Sequence, residues 1–67
     1  MDVRVSSGVR LRTIIEMRGS SQAETGRMAG IDRSDITKFV KDKKMPTTKQ
    51  MIRIAEVLKV DSRAIWP

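Results

Sequence analysis

The stretch from residue 21 to residue 46 constrains the fold more than any other part of this 67-residue chain. Ser21 opens a capping-box pattern, in which a serine caps a helix and an acidic residue follows three positions later. Gly30 then supplies the left-handed backbone conformation that ends a helix. Asp32 and Asp35 repeat the capping-box spacing immediately afterwards. The stretch therefore predicts two short helices joined by a tight turn.

The second predicted helix of this pair has one apolar face and one polar face. Ile36, Phe39 and Val40 recur at helical spacing and are expected to pack inward. The opposite face carries Arg33, Ser34, Thr37, Lys38 and Lys41. A tight turn that holds such a helix outward is the arrangement that places a helix in the major groove of DNA. The pair therefore predicts a helix-turn-helix over about residues 21–42.

Helical spacing predicts three further short helices, and no alternating strand pattern is present. The first helix is expected from about Val9 to Arg18, with a serine just before it as its cap. The fourth begins at a capping box of Thr47 and Gln50, and the last runs from Ser62 to about Trp66. We therefore expect an all-α fold of five short helices. Its expected parts are a flexible N-terminal arm, residues 1–8, and a single domain, residues 9–67.

Positive charge is concentrated in one part of the chain. The net charge is +6, and residues 33–49 carry +4 of it through six cations and two anions. A basic patch beside an outward helix is the electrostatic footprint of a nucleic-acid-binding surface. On charge alone a solvated surface is the better explanation, since basic surface runs are common. The DNA-binding interpretation therefore depends on the helix pair as well as on the charge.

The residue types exclude several other classes of protein. Histidine and cysteine are absent, which excludes disulfides, a zinc site built from those residues and imidazole catalysis. No glycine-rich phosphate loop or acidic cluster suggests catalysis, so we expect no enzyme, metal, cofactor or small-molecule ligand. No apolar run could cross a bilayer, and the opening residues MDVRVSSG lack a secretory signal. We expect a cytoplasmic protein without a membrane partner.

Several segments carry a family resemblance because they occur together, in order and at matching spacing. They are Ser21-Gln22, Gly26, Gly30-Ile31, Arg33-Ser34-x-Ile36-Thr37-Lys38, Lys43-x-x-Pro46 and Ile52-x-Ile54-Ala55-x-Val57-Leu58-x-Val60. Through them the chain resembles the lambda-repressor/Cro-type helix-turn-helix family from about Val9 to Trp66. The resemblance implies a lambda-repressor-like DNA-binding domain and a small regulator of a bacterial cell or phage-infected host.

By position, the resemblance implies two sets of contacts with double-stranded DNA. The base contacts it implies are Arg33, Ser34, Thr37 and Lys38. Arginine and lysine suit guanine O6 and N7, and Thr37 suits a thymine methyl or a phosphate. The phosphate contacts it implies are Gln22, Lys41, Lys43 and Lys44, which add affinity without sequence information. Asp35 is expected to cap its helix rather than to meet DNA.

Two groups of residues depart from the family pattern. Ile15 and Val40 stand where the family usually pairs an arginine with a glutamate, and an apolar pair is physically tolerable there. Around the first helix of the motif the expected core is thin, because small or polar residues replace larger apolar ones. We expect Met17 and Met28 to fill that gap with their flexible side chains. The replaced positions are Ser20, Thr25 and Ala29.

The resemblance also implies a homodimer on an inverted-repeat operator. The expected interface residues are Val57, Val60, Ile65 and Trp66. Trp66 is also explained by an anchoring role at the edge of the core. The interpretation we favour is a transcriptional repressor. Two alternatives stay open from sequence: an activator of the phage lysogeny type that contacts RNA polymerase, and an antitoxin that binds a toxin and autoregulates its operon.

Overall fold

The computed structural model describes residues 5–67, and this part of the chain forms four α-helices followed by a 3₁₀ turn. The elements are α1 (Ser7–Met17), α2 (Gln22–Ala29), α3 (Arg33–Val40), α4 (Thr48–Leu58) and the 3₁₀ turn (Ser62–Ala64). The prediction of an all-α fold is confirmed. The last predicted helix is a single 3₁₀ turn, which stops two residues before Trp66. No helix in the described part is long and apolar enough to cross a membrane.

Helix α1 begins two residues earlier than the apolar spacing predicts. The side chain of Ser6 caps it by accepting a hydrogen bond from the Val9 backbone N–H at 3.1 Å. Ser7 and Gly8, which were predicted to belong to the N-terminal arm, therefore lie in the helix. The first residues of the predicted arm, 1–4, lie outside the described residues.

Two of the three predicted capping patterns have the expected serine or threonine bond. Ser21 Oγ accepts from the Glu24 N–H at 3.0 Å, although the Glu24 carboxylate turns to Arg27 at 2.7 Å. Thr47 and Gln50 form the complete box, with bonds of 3.2 and 2.9 Å in the two directions. The start of α4 is therefore fixed by its own side chains.

The capping box predicted at Asp32 and Asp35 is wrong. Asp32 does cap α3, but it accepts from the Ser34 N–H at 3.1 Å. The Asp35 carboxylate binds Lys44 Nζ at 3.2 Å instead of the cap backbone. A capping box takes glutamate or glutamine at this position, and the shorter aspartate side chain is better placed for the lysine.

A residue with positive φ follows each of the four α-helices within two positions. These residues are Gly19 (φ 67°), Gly30 (φ 71°), Asp42 (φ 58°) and Lys59 (φ 59°). In each case the next residue donates its N–H to a carbonyl five positions back, the bond of a Schellman motif. The sequence pattern predicted this conformation at Gly30 but not at Asp42 or Lys59.

The core lies between the four helices and the 3₁₀ turn. Its apolar residues are Leu11, Ile15, Ala29, Ile31, Ile36, Phe39, Ile54, Ala55, Leu58 and Ile65, and the exposed fraction of each is 8% or less. Val40 packs against this cluster, so the apolar replacement of the family's ion pair is accommodated. The 3₁₀ turn that carries Ile65 is capped by Asp61, whose pKa is lowered mainly by the hydrogen bond from the Arg63 N–H.

The prediction that Met17 and Met28 fill the core around α2 is wrong. Their exposed fractions are 78% and 59%, so neither is a core residue. Thr25 occupies the interior instead and is fully buried, with its Oγ1 3.2 Å from the Ser20 hydroxyl. This polar pair satisfies itself by hydrogen bonding, which removes the cost of burying an unpaired hydroxyl.

Candidate nucleic-acid interface

Helix α3 is positioned by a close approach of α2 to the turn that follows it. A Cβ on Gly26 would lie 2.7 Å from the Ile31 carbonyl oxygen and 3.1 Å from Ile36 Cγ1. Only glycine therefore permits this packing without movement of the backbone. Gly30 turns the chain between the two helices, and Ile31 is buried behind the turn. Gly26 and the turn at Gly30 together fix the angle at which α3 projects from the other helices.

The two faces of α3 divide as the apolar spacing predicts. Ile36 and Phe39 are buried, with exposed fractions of 0% and 3%. Arg33, Ser34 and Lys38 are exposed on the opposite side, and Thr37 is half-buried. This exposed side, with the start and end of the helix, forms a shallow surface groove. The residues that line it are Asp32, Arg33, Ser34, Thr37, Lys38, Lys41 and Lys43.

The groove is electropositive because its cations outnumber its single acid. It contains Arg33, Lys38, Lys41 and Lys43, opposed only by Asp32, whose carboxylate caps α3. Among residues 5–67, none of these four cations forms an ion pair. A concave basic surface without internal neutralisation favours a polyanion.

Lys44 differs from the other predicted phosphate-binding lysines. Its ammonium group lies 3.2 Å from the Asp35 carboxylate, and its side chain is half exposed. It does not line the groove of α3. A phosphate that bound Lys44 would displace this contact, which is weak because the pair is partly exposed.

Gln22 joins the site from the first turn of α2. Its Oε1 accepts a hydrogen bond from Thr37 Oγ1 at 3.0 Å, and both residues are half-buried. The structure thus brings together two predicted DNA-contacting residues that lie 15 positions apart. The sequence carried no signal for this contact, because it depends on the angle between α2 and α3.

The four residues predicted for a dimer interface are not equally accessible. Ile65 is fully buried in the core, so its side chain cannot meet a second copy of the folded chain. Val57, Val60 and Trp66 are half-buried and pack against the core from its edge. Trp66 also lines a small hollow beside Pro46, consistent with an anchoring role.

The sequence matches the family model described as a helix-turn-helix domain over residues 8–65, nearly the whole chain. The chain belongs to the helix-turn-helix domain family. Its members are DNA-binding regulators. The predicted resemblance to lambda-repressor-like helix-turn-helix proteins is confirmed. No curated protein matches the sequence significantly.

Two solved structures show the same fold as this helix-turn-helix chain. The restriction-modification controller protein C.AhdI from Aeromonas hydrophila matches with a TM-score of 0.85 and 24% sequence identity, over 88% of this chain and 89% of that one. The DNA-binding domain of the P22 C2 repressor matches with a TM-score of 0.88 and 18% identity, over 98% of this chain and 86% of that one. At these identities the likeness concerns the fold.

Proposed function

We propose that this chain is a sequence-specific regulator of transcription, a repressor that binds an inverted-repeat operator as a homodimer. The observation that carries the proposal is the exposed basic face of α3, held outward by the turn at Gly30. A repressor needs only to occupy a promoter. The exposed basic face of α3 is the surface with which this chain would bind promoter DNA. Its place of action is then the cytoplasm of a bacterial cell or a phage-infected host.

Sequence is read from the exposed face of α3. Arg33 and Ser34 lie in the first turn of the helix, and Lys38 follows one turn later. Arg33 can donate two parallel hydrogen bonds to guanine O6 and N7, which discriminates against other bases by about 1–3 kcal/mol. Lys38 reaches the same kind of acceptor as a single charge. These two cations are the proposed main base readers.

Affinity comes from contacts with the phosphate backbone on both sides of that face. Lys41 and Lys43 extend the groove beyond the end of α3. Gln22, at the start of α2, contacts Thr37 on the wall of the groove. Contacts of this kind position the protein on the duplex without reading sequence. We give Lys44 a smaller part because it does not line the groove and its ammonium group already contacts Asp35.

The proposed homodimer forms through the half-buried apolar residues Val57, Val60 and Trp66. Met28 adds to this surface, because it is 59% exposed and lines the same two hollows as Val57. Exposed methionine is enriched at protein interfaces. A two-fold dimer would place one α3 in each of two successive major grooves, with half-sites about 34 Å apart.

Arg33 and Lys43 are expected to respond differently to substitution. Arg33→Ala should relax the preference at one base position in each half-site, by about 1–3 kcal/mol. Lys43→Ala should lower affinity to a similar extent for every sequence, since a phosphate contact reads no base. Binding titrations against an operator and its single-base variants measure both effects.

Arg12→Ala is the matched control for this pair. It removes the same charge from an exposed position within α1, outside both the groove and the hollows that Val57 and Met28 line. It should leave affinity and base preference close to those of the wild type. A uniform loss of affinity in Arg33→Ala, with every base preference intact, would show that Arg33 does not read bases.

A further inference from the structure

The side-chain bond between α2 and α3 determines which end of the Gln22 amide is left for another partner. Thr37 Oγ1 donates to Gln22 Oε1 at 3.0 Å. A glutamine amide accepts hydrogen bonds through its carbonyl oxygen and donates them through its NH₂ group. Because Thr37 binds the oxygen, the two N–H donors of the Gln22 amide are the atoms left to bind a ligand. Those donors suit an acceptor and not a cation.

We propose that Thr37 is a positioning residue, whose hydroxyl holds the Gln22 amide ready to donate to a DNA phosphate. This inference rests on the proposed DNA-binding function and changes the role of Thr37 within it. The hydroxyl acts through Gln22 and does not read a base. The thymine or phosphate contact predicted for Thr37 from sequence is replaced by this role.

The residue types on the two sides of the bond fit these roles. Thr37 is β-branched and lies within a helix, where its side chain has few rotamers. Gln22 has three rotatable bonds and would otherwise lose that freedom on meeting DNA. A bond from the stiff side chain to the flexible one orders the amide before binding. Pre-ordering of this kind raises affinity without adding a contact.

A threonine within a helix has an alternative partner for its hydroxyl. Serine and threonine at such positions commonly bond the backbone carbonyl one turn earlier. Here the hydroxyl donates across to α2 instead. Because this bond joins the two helices, the direction of the Gln22 amide depends on the angle between α2 and α3.

The test combines two substitutions at Thr37 with one at Gln22. Thr37→Val keeps the shape and the methyl group but removes the hydroxyl, and Thr37→Ser keeps the hydroxyl but removes the methyl group. The probes are the duplex enriched by the wild type from a random pool, its single-base variants and a mixed-sequence duplex. Thr37→Val should bind all of them about tenfold more weakly, the effect of one hydrogen bond in each half-site. Thr37→Ser should bind like the wild type.

The double variant decides whether the hydroxyl acts through Gln22. Gln22→Ala alone should weaken binding uniformly, and adding Thr37→Val to it should cause no further loss. Independent losses that multiply would overturn the proposal. A Thr37→Ser variant that loses one thymine preference, while Thr37→Val keeps it, would make Thr37 a base reader and overturn it also.

A measurement without DNA separates this inference from the proposed function. In the free protein, Thr37→Val should shift and broaden the NMR signals of the Gln22 side-chain amide, whereas Thr37→Ser should leave them in place. Unchanged signals in Thr37→Val would contradict the inference even if DNA binding is confirmed. If the wild type enriches no duplex, the proposed function fails, whatever these signals show. Thermal unfolding of each variant excludes a loss of fold as the cause.

Discussion

Replacing Gly8 with alanine is expected to destabilise the domain by about 2–3 kcal/mol, the cost of overpacking at a site that cannot relax. A Cβ at this position would lie 2.2 Å from the Val40 carbonyl oxygen and 2.7 Å from that of Phe39. Both atoms belong to the backbone of α3, so relief requires the start of α1 to move away. Movement would also break the bond from the Gly8 N–H to Asp42, which measures 3.0 Å.

Helix propensity alone predicts the opposite sign for this substitution. Alanine is favoured over glycine inside a helix by about 1 kcal/mol, and Gly8 is the second residue of α1. The steric cost is larger because the contacted atoms are backbone atoms. Urea or thermal unfolding of the variant and the wild type measures the change in the free energy of unfolding, which combines the two effects.

Gly19→Ala is the matched control for Gly8→Ala. Nothing lies within 4 Å of a Cβ at Gly19, but its φ of +67° is left-handed. The expected loss is about 1 kcal/mol, from conformation alone. A Gly8→Ala protein as stable as the wild type would contradict the close packing of α1 against α3.

DNA binding by the proposed dimer should fall steeply as salt rises. With roughly 6–10 phosphate contacts, affinity is expected to drop about 10³- to 10⁵-fold between about 50 and 200 mM salt. The reason is the release of counterions from phosphates that Lys41, Lys43 and other cations neutralise. Titrations at several salt concentrations give the slope of log affinity against log salt.

Substitution of Lys43 tests the origin of this slope. Lys43→Ala removes one cation from each subunit, so the slope for the dimer should become shallower by about 2. Arg12→Ala, outside the groove and the proposed dimer surface, should leave the slope unchanged. Affinity that barely responds to salt would contradict a phosphate-dominated interface.

The sequence predicted those parts of the fold that depend on local signals. Gly30 ends a helix because glycine tolerates positive φ, and Thr47 with Gln50 forms a capping box within one turn. Asp42 and Lys59 adopt the same left-handed conformation without a glycine. No glycine signals these two positions in the sequence, and Asp42 is also held by the bond that its carboxylate accepts from the Gly8 N–H, 34 positions away.

In the candidate site, too, features set by local sequence were predicted, and contacts between distant residues were not. Helical spacing alone correctly predicted which face of α3 would be exposed, because Ile36 and Phe39 define the buried side. The partners of Thr37 and Asp35 could not be predicted, since Gln22 and Lys44 approach them only in the folded chain.

The apolar residues near helix ends show a further limit of the sequence signal. Met17 and Met28 fit an inward position by composition but lie on the surface, while Ile65 lies inside. The spacing of apolar residues does not indicate where a helix extends beyond the core, and a short 3₁₀ turn has no clear apolar period. The sequence therefore could not show that Ile65 is buried while the other three predicted dimer residues remain partly accessible.

Selection of duplexes from a random DNA pool by the purified wild-type protein is the most direct test of an outward, sequence-reading α3. We expect enrichment of an inverted repeat whose half-sites are centred about 34 Å apart, close to one helical turn. We also expect Arg33→Ala to lose a guanine preference within each half-site. A pool that remains random at modest ionic strength, or an enriched site that Arg33→Ala and Lys38→Ala read unchanged, would contradict base reading by α3.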